Sequence, residues 1–353
     1  MNALVGRLAL HPGREPAIAG ARQQLAARVA TGCAPNEAPD RLARVFNLCG
    51  DAHRFAARLA LAGARVQAPA DTCREAERLH GETAREHARR IAFDWARAFL
   101  PAGGDADAGT WLRALDFAGG APALAGWLER TWFGEAPSAW HARIESSATR
   151  VAAFRDWLDD APSTPLVCLL RAMLPHLRRA EVEWHPLHPT PQVRQTLLHG
   201  LRADVAFATY PHLDAAVPDS GPWSRLADAP DAWAGDASAR VFARVAETAA
   251  LASGARNRLR FGSMPLGAGE GAGWCEMARG LLLHWVRLDG DGTRVADWRV
   301  LAPTEWNFHP RGVLGRALSR LRGSATDSTV RVLAAAFDPC VGVDIVREEA
   351  DHA

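Results

Sequence analysis

The chain has 353 residues, 41 basic against 40 acidic for a formal charge of +1, and 48% of its residues are hydrophobic. That balance argues for a globular protein with a sizeable core, and against long disorder, collagen-like repeats and a field that would gather nucleic acid or an anionic membrane surface. Every basic residue is arginine, which removes the lysine Schiff base and the P-loop lysine and so excludes pyridoxal enzymes and P-loop NTPases.

The predicted elements begin with a short strand that ends at Leu10, where His11-Pro12-Gly13 breaks the pattern. A helix is expected over residues 18–30. Another is expected from an N-cap at Asp40 to about residue 62, with Cys49 and His53 on its buried stripe. A long helix rich in Arg and Glu covers 71–99 and stops at Leu100-Pro101. Loops are expected at 103–107 and 119–122, helical patterns at 121–132, 138–158 and 166–177, and a Pro- and His-rich connection over 185–230. A further helix covers 237–254. The glycine-rich stretch 262–273 reads as a loop, and apolar runs at 280–288 and 294–301 around Asp289-Gly-Asp-Gly292 read as a β-hairpin. Helices at 310–321 and 328–336 lead to Asp338-Pro339-Cys340. The fold class is mainly α with a small β component (α+β), organised as one unit over 1–353. Its parts are an N-terminal segment (1–100), a helical middle (101–260) and a C-terminal segment (261–353).

The six cysteines, Cys33, Cys49, Cys73, Cys168, Cys275 and Cys340, follow one another at spacings of 16, 24, 95, 107 and 65 residues. No CxxC pair exists, so a zinc ribbon, a thioredoxin-type motif and a local iron–sulfur loop are unsupported. No run approaches the roughly 18 apolar residues of a spanning helix. The first residues carry no cationic region followed by an apolar stretch. The expected compartment is the reducing cytoplasm, where these cysteines are free thiols or metal ligands. Taken singly, each candidate is weak: Cys49 on an amphipathic stripe is an ordinary small core residue, His53 one turn on is spaced to share a metal with it, and Arg279 is one arginine among many.

Their order is informative. Gly6-Arg7-Leu8 in an early strand, Leu48-Cys49-Gly50, Ile91-Ala-Phe-Asp94-Trp95, Glu276-Met-Ala-Arg-Gly280 before the hairpin, Ala302-Pro-Thr-Glu-Trp-Asn307 and Phe337-Asp-Pro-Cys340 occur in that sequence. Together they resemble the large subunit of nickel–iron hydrogenases, colinearly over nearly the whole chain. In that family the metals hang from four cysteines in a CGxC and a DPCxxC motif. Here Ala52 and Val343 stand at the second positions, Ala56 and Val346 where histidines are expected, and Asn47 where an arginine is.

The resemblance implies that Cys49 and Cys340 remain as metal ligands, facing each other at the centre, without the bridging pair. By the same resemblance Arg279 and Thr304 match the donors to the iron's cyanides, Asp94 matches an acidic residue near the metals, and Glu276 and Asp338 fill motif positions. His53 stands with them as a cofactor-binding candidate. A guanidinium fork and a hydroxyl suit anionic cyanide acceptors. Two soft thiolates suit a low-spin iron with diatomic ligands, and no nickel is expected.

These departures are similar to the HupK/HoxV family of hydrogenase maturation proteins. Membership implies a trimmed large-subunit fold with a central helical bundle and a C-terminal β-hairpin. It also implies a non-catalytic cytoplasmic scaffold that holds or relays an Fe(CN)2(CO) unit between chaperones of the HypC/HypD type and the large-subunit precursor, with no nucleic-acid or membrane partner. The alternatives are a metal-free mimic of the large subunit that docks chaperones, a redox enzyme of the hydrogenase superfamily, which Ala52 and Val343 disfavour, and a zinc site of Cys49, His53 and Cys340. The acidic end with Glu348, Glu349 and Asp351 lacks a cleavage-site histidine, so no endopeptidase maturation is expected.

Overall fold

The computed structural model describes residues 6–100, 120–225, 236–255, 259–321 and 326–347. The loop expected at 103–107 and the acidic residues Glu348, Glu349 and Asp351 lie outside these. The chain opens with an antiparallel pair, β1 (Gly6–Leu10) and β2 (Ile18–Arg22). The helix expected over 18–30 is thus a strand first and a short helix, Ala26–Ala30, only afterwards. The reason is local: Gly20 pairs with Leu8 at φ +82°, where a Cβ would come 2.4 Å from the Arg7 carbonyl oxygen.

Two helices, α1 (Ala38–Val45) and α2 (Gly50–Ala64), replace the single helix expected from Asp40. The backbone leaves helical geometry at Phe46 and again at Cys49, with ψ of 49° and 44°. Cys49 therefore sits at the entrance to α2 and not midway along a stripe, and Asp40 lies inside the first turn of α1 behind Glu37. Helix α3 (Thr72–Arg89) starts after Asp71 as expected and runs into a π-helical turn, Arg90–Trp95.

Further helices cover Gly120–Leu128, Pro137–Glu145, Arg150–Asp160 and Pro165–Leu177. Gly120 to Pro122 thus open a helix and are not a loop, and the pattern at 138–158 is two helices. The expected connection over 185–230 contains the helix Pro191–Ala203, whose N-cap Thr190 accepts from the Val193 N–H. Helix α4 (Ser238–Ala252) is buried at every residue and lies in the largest core cluster. Among the described residues no helix is long and apolar enough to cross a membrane.

Four strands, β3 (Phe261–Gly267), β4 (Glu270–Met277), β5 (Gly280–Leu288) and β6 (Val295–Leu301), form an antiparallel meander in that order. The glycine-rich stretch is therefore strand and not loop. Gly271 and Gly273 are there because α2 lies directly on β4: a Cβ at Gly271 would be 2.1 Å from Ala64 N, and one at Gly273 would be 2.2 Å from Ala56 O. The opposite face of the meander packs Trp274, Leu283 and Trp285 against Leu197 and Leu201. Strand β5 is covered on both faces from Gly280 to Val286, which explains why apolar residues there do not alternate with polar ones.

After the meander come α5 (Pro303–Asn307), the helix Val313–Ser319 and α6 (Asp327–Phe337). A final strand, β7 (Gly342–Ile345), runs parallel to β1, giving the sheet order β2-β1-β7. In this register Gly6 pairs with Arg22 and Arg7 pairs with Gly342, so Arg22 and the segment just before β7, which carries Cys340, lie at one end of the sheet.

Candidate functional site

A small cavity of about 50 Å³ opens where the ends of β2, α5, the α1–α2 junction and the segment before β7 converge. It is far smaller than the roughly 300–1,000 Å³ clefts that take drug-sized ligands, so it suits a ligand of a few atoms. Its walls hold Cys49, Cys340, Arg279, Thr304 and His53, and they also hold Arg22; none of its lining residues is an Asp or Glu. Five of the six sequence candidates are thus brought together, across separations of up to 291 positions. Asp94 does not join them and lines a different cavity with Arg90 and Val343.

Each cysteine is held from outside its own element. Helix α2 has no side-chain cap of its own. Instead Glu82 of α3 accepts from the backbone N–H groups of Asp51 and Ala52 at 2.8 and 2.9 Å, which fixes the turn that presents Cys49. Burial pushes the Glu82 carboxyl up to about 7 and the Cys49 thiol well up, with Arg279 opposing the latter. Cys49 is consequently a thiol until a cation displaces its proton. Cys340 is half-buried, and its sulfur accepts a hydrogen bond from the Thr304 hydroxyl at 3.0 Å.

Beneath the cavity lies a buried charge network that the sequence reading left without a role beyond structure. Arg279 donates from Nη2 to Glu86 at 2.6 Å and faces Asp338 at 3.5 Å. Arg244 of α4 pairs with the same Asp338 carboxylate at 2.9 Å. Arg90 donates to Asp338 and to the carbonyl of Pro339, the residue before Cys340, and is itself held by Asp94 at 2.7 Å. Asp94 thus supports the Cys340 segment at one remove. Burial would raise the Asp338 carboxyl, but Arg244, Arg279 and Arg90 outweigh it and keep it well below the usual carboxylate range.

Three buried guanidinium nitrogens on residues of the cavity wall have no hydrogen-bond partner: Nη2 of Arg22 and Nη1 and Nε of Arg279, the last facing Asp338 at 3.5 Å. A buried donor left unpaired is unfavourable by about 1–3 kcal/mol, more when charged. The donor set therefore fits a small ligand with anionic acceptor ends, in a cavity that both cysteines line. Sequence reasoning missed Arg22, which has no motif around it, and His284, which stands in the quoted hairpin.

His53 stacks on Phe46 with ring centroids 4.2 Å apart, and its Nδ1 lies 3.0 Å from Nε2 of His284. His284 Nδ1 in turn meets the Trp298 indole N–H at 3.2 Å. Burial and the nearby Arg22 charge push His284 down to about 3, and burial with His284 and Arg22 lowers His53 as well, so both rings are neutral. Because an indole only donates, His284 accepts at Nδ1, donates from Nε2 to His53 Nδ1, and leaves the His53 proton on Nε2. His53 in this state is a hydrogen-bonding group, not a metal ligand. Among the described residues no group of three or more His, Cys, Asp or Glu is placed to hold a metal ion, so the zinc alternative with Cys49, His53 and Cys340 is not formed.

The family model for nickel-dependent hydrogenase matches residues 237–343. The hydrogenase expression/formation protein HoxV of Cupriavidus necator is 35% identical to this chain, covering 96% of it and 94% of its own length. HupK of Rhizobium leguminosarum bv. viciae is 33% identical, covering 92% and 90%. Among solved structures, the oxidised Ni-Fe-Se hydrogenase of D. vulgaris Hildenborough shares the fold at TM-score 0.54 and 14% identity, over 91% of this chain and 92% of that chain. An NAD+-reducing nickel–iron hydrogenase does so at TM-score 0.53 and 15% identity, over 92% of each. The mixed α+β architecture is that of hydrogenases, and the identity to HoxV and HupK along almost the full chain is much higher: the chain belongs to the HoxV/HupK family of hydrogenase expression/formation proteins.

Proposed function

We propose that this protein acts in hydrogenase maturation as a scaffold that holds or relays an Fe(CN)2(CO) unit on Cys49 and Cys340 before its transfer to the large-subunit precursor. The names of its relatives support the maturation role. The observation that carries the finer reading is the pairing, in one small cavity, of two cysteines from opposite ends of the chain with the partnerless Arg279 N–H and the Thr304 hydroxyl. The unit is cargo in this reading. The cysteines supply thiolates to iron, Arg279 orients the diatomic ligands, the Thr304 hydroxyl would turn its proton from the Cys340 sulfur to a cyanide, and the Asp338 network keeps Arg279 in place.

Turnover is not part of the proposal. Ala52 and Val343 stand where the resemblance puts the second cysteine of each pair, and neither lines the cavity. No nickel site is assigned, because the set that would bridge two metals is absent from the sequence. The donor and the recipient of the unit would be chaperones of the HypC/HypD type and the precursor of the large subunit.

Elemental analysis of protein purified anaerobically from maturation-competent cells tests this. Iron bound in the wild type and lost in Cys49→Ser and Cys340→Ser is expected. Zinc or nickel in its place overturns the proposal, and protein free of all three metals supports the docking mimic instead.

A further inference from the structure

Arg22 was not anticipated from the sequence, and the cyanide-binding role proposed for Arg279 does not account for it. It ends β2, and its side chain is 4% exposed. Only one edge of its guanidinium is engaged: Nε donates to Glu305 at 2.6 Å. Glu305 cannot turn away to take more of it, because the same carboxylate also accepts from Gln24 at 3.2 Å and from the Ala302 backbone N–H at 3.2 Å. The guanidinium carbon stands 5.3 Å from the Phe46 ring centroid, so its position is fixed by a ring as well as by a carboxylate. Its Nη2 is buried and unpartnered, on a residue of the same cavity wall as Arg279. Cys49 and Cys340 line the same cavity as Arg22.

We infer that Arg22 is a second anion-binding group of this cavity, so that a small ligand with two anionic ends is held by two guanidiniums and not by one. Two fixed cationic donors on a wall without carboxylates favour such a ligand over a bare divalent cation. The inference deepens the iron-unit reading, on which it rests for the identity of the anion: Arg22 would share with Thr304 the cyanide that Arg279 does not hold. The anion preference itself does not need iron.

The test uses full-length protein made in a host without hydrogenase maturation genes. Cys340 is alkylated with anionic iodoacetate and with neutral iodoacetamide, and each rate is read on the Cys340 peptide by mass spectrometry and normalised to free cysteine. Any change in thiol reactivity affects both reagents and cancels in their ratio. The wild type is expected to favour iodoacetate by about tenfold, the low end of electrostatic focusing in a charged cleft. Replacing the ion pair by an amide pair, Arg22→Gln with Glu305→Gln, keeps a buried hydrogen bond and is expected to lower the ratio at least threefold.

Thiocyanate, a linear anion, is expected to slow iodoacetate saturably at Cys340 in the wild type and to leave the exposed Cys73 unaffected. An unchanged ratio in the double variant overturns the inference, and so does a wild type with neither the preference nor the thiocyanate protection, even if the double variant does not fold. Since the protein carries no iron in this assay, failure here leaves the iron reading standing, and failure of the metal analysis leaves this result standing.

Discussion

Arg244 and Asp338 form an ion pair in which Nη1 lies 2.9 Å from Oδ2 and the two side chains are 0% and 1% exposed. Asp338 also ends α6 at φ +53°, a left-handed conformation that Asp and Asn tolerate better than most residues. Asp338→Asn therefore keeps the turn and removes only the charge shared by Arg244, Arg90 and Arg279. Leaving three guanidiniums around a neutral amide is expected to destabilise the fold by roughly 3–5 kcal/mol. Urea unfolding followed by tryptophan fluorescence measures this, and a loss under about 1 kcal/mol would show that the network is not a supporting element of the Cys340 segment.

The contact of α2 with β4 makes a second prediction, independent of charge. A Cβ at Gly273 would lie 2.2 Å from Ala56 O and 2.3 Å from Ala60 N, both backbone atoms that cannot rotate aside. Gly273→Ala is expected to destabilise by about 3 kcal/mol or more through overpacking. Gly290→Ala, in the β5–β6 turn with nothing within 4 Å of its Cβ, serves as the control and should stay within about 0.5 kcal/mol. Thermal unfolding of the two variants side by side checks the difference.

Buried neutral imidazoles give the protein an acid limit. His87 accepts from Arg244 at Nδ1 (2.9 Å) and donates from Nε2 to Glu247 (2.8 Å), and burial, opposed by the Glu247 hydrogen bond, lowers it from 6.5 to about 4. A depressed histidine binds fewer protons folded than unfolded, so its stabilising contribution is full above pH 6.5 and is lost as pH falls toward 4. The loss per such imidazole is on the order of 3 kcal/mol. Glu82, raised to about 7, contributes with the opposite sign in an overlapping window. The informative quantity is therefore the difference between wild type and His87→Gln in urea midpoint from pH 7 to pH 4. That difference should shrink as pH falls, and a constant offset would contradict it.

The sequence made the meander's last two strands readable through two apolar runs around an Asp-Gly turn, and made α3 readable through its Arg and Glu spacing. It also ordered Cys49, Arg279, Thr304 and Cys340 in a pattern that resembles a known site. It misled where local pattern and tertiary packing disagree. Gly271 and Gly273 look like loop residues because nothing in sequence announces the helix backbone pressed against them, and Cys49 looks helical because the apolar spacing continues through a junction that Glu82, 33 positions away, holds in place. Arg22 was invisible for a different reason: its meaning depends on β1 pairing with both β2 and β7, which brings the two ends of the chain together. The resemblance puts Asp94 near the metals; in space it holds Arg90, which in turn holds the Cys340 segment.

In the proposed function Cys49 and Cys340 jointly hold an iron carrying cyanide and carbon monoxide. Infrared spectroscopy of the protein purified anaerobically from cells that mature a nickel–iron hydrogenase tests it most directly, because metal-bound cyanide and carbonyl absorb where proteins do not. Both kinds of band are expected in the wild type, and their loss in Cys49→Ser and in Cys340→Ser. Bands that survive both substitutions, or a wild type from such cells with no bands at all, would contradict it.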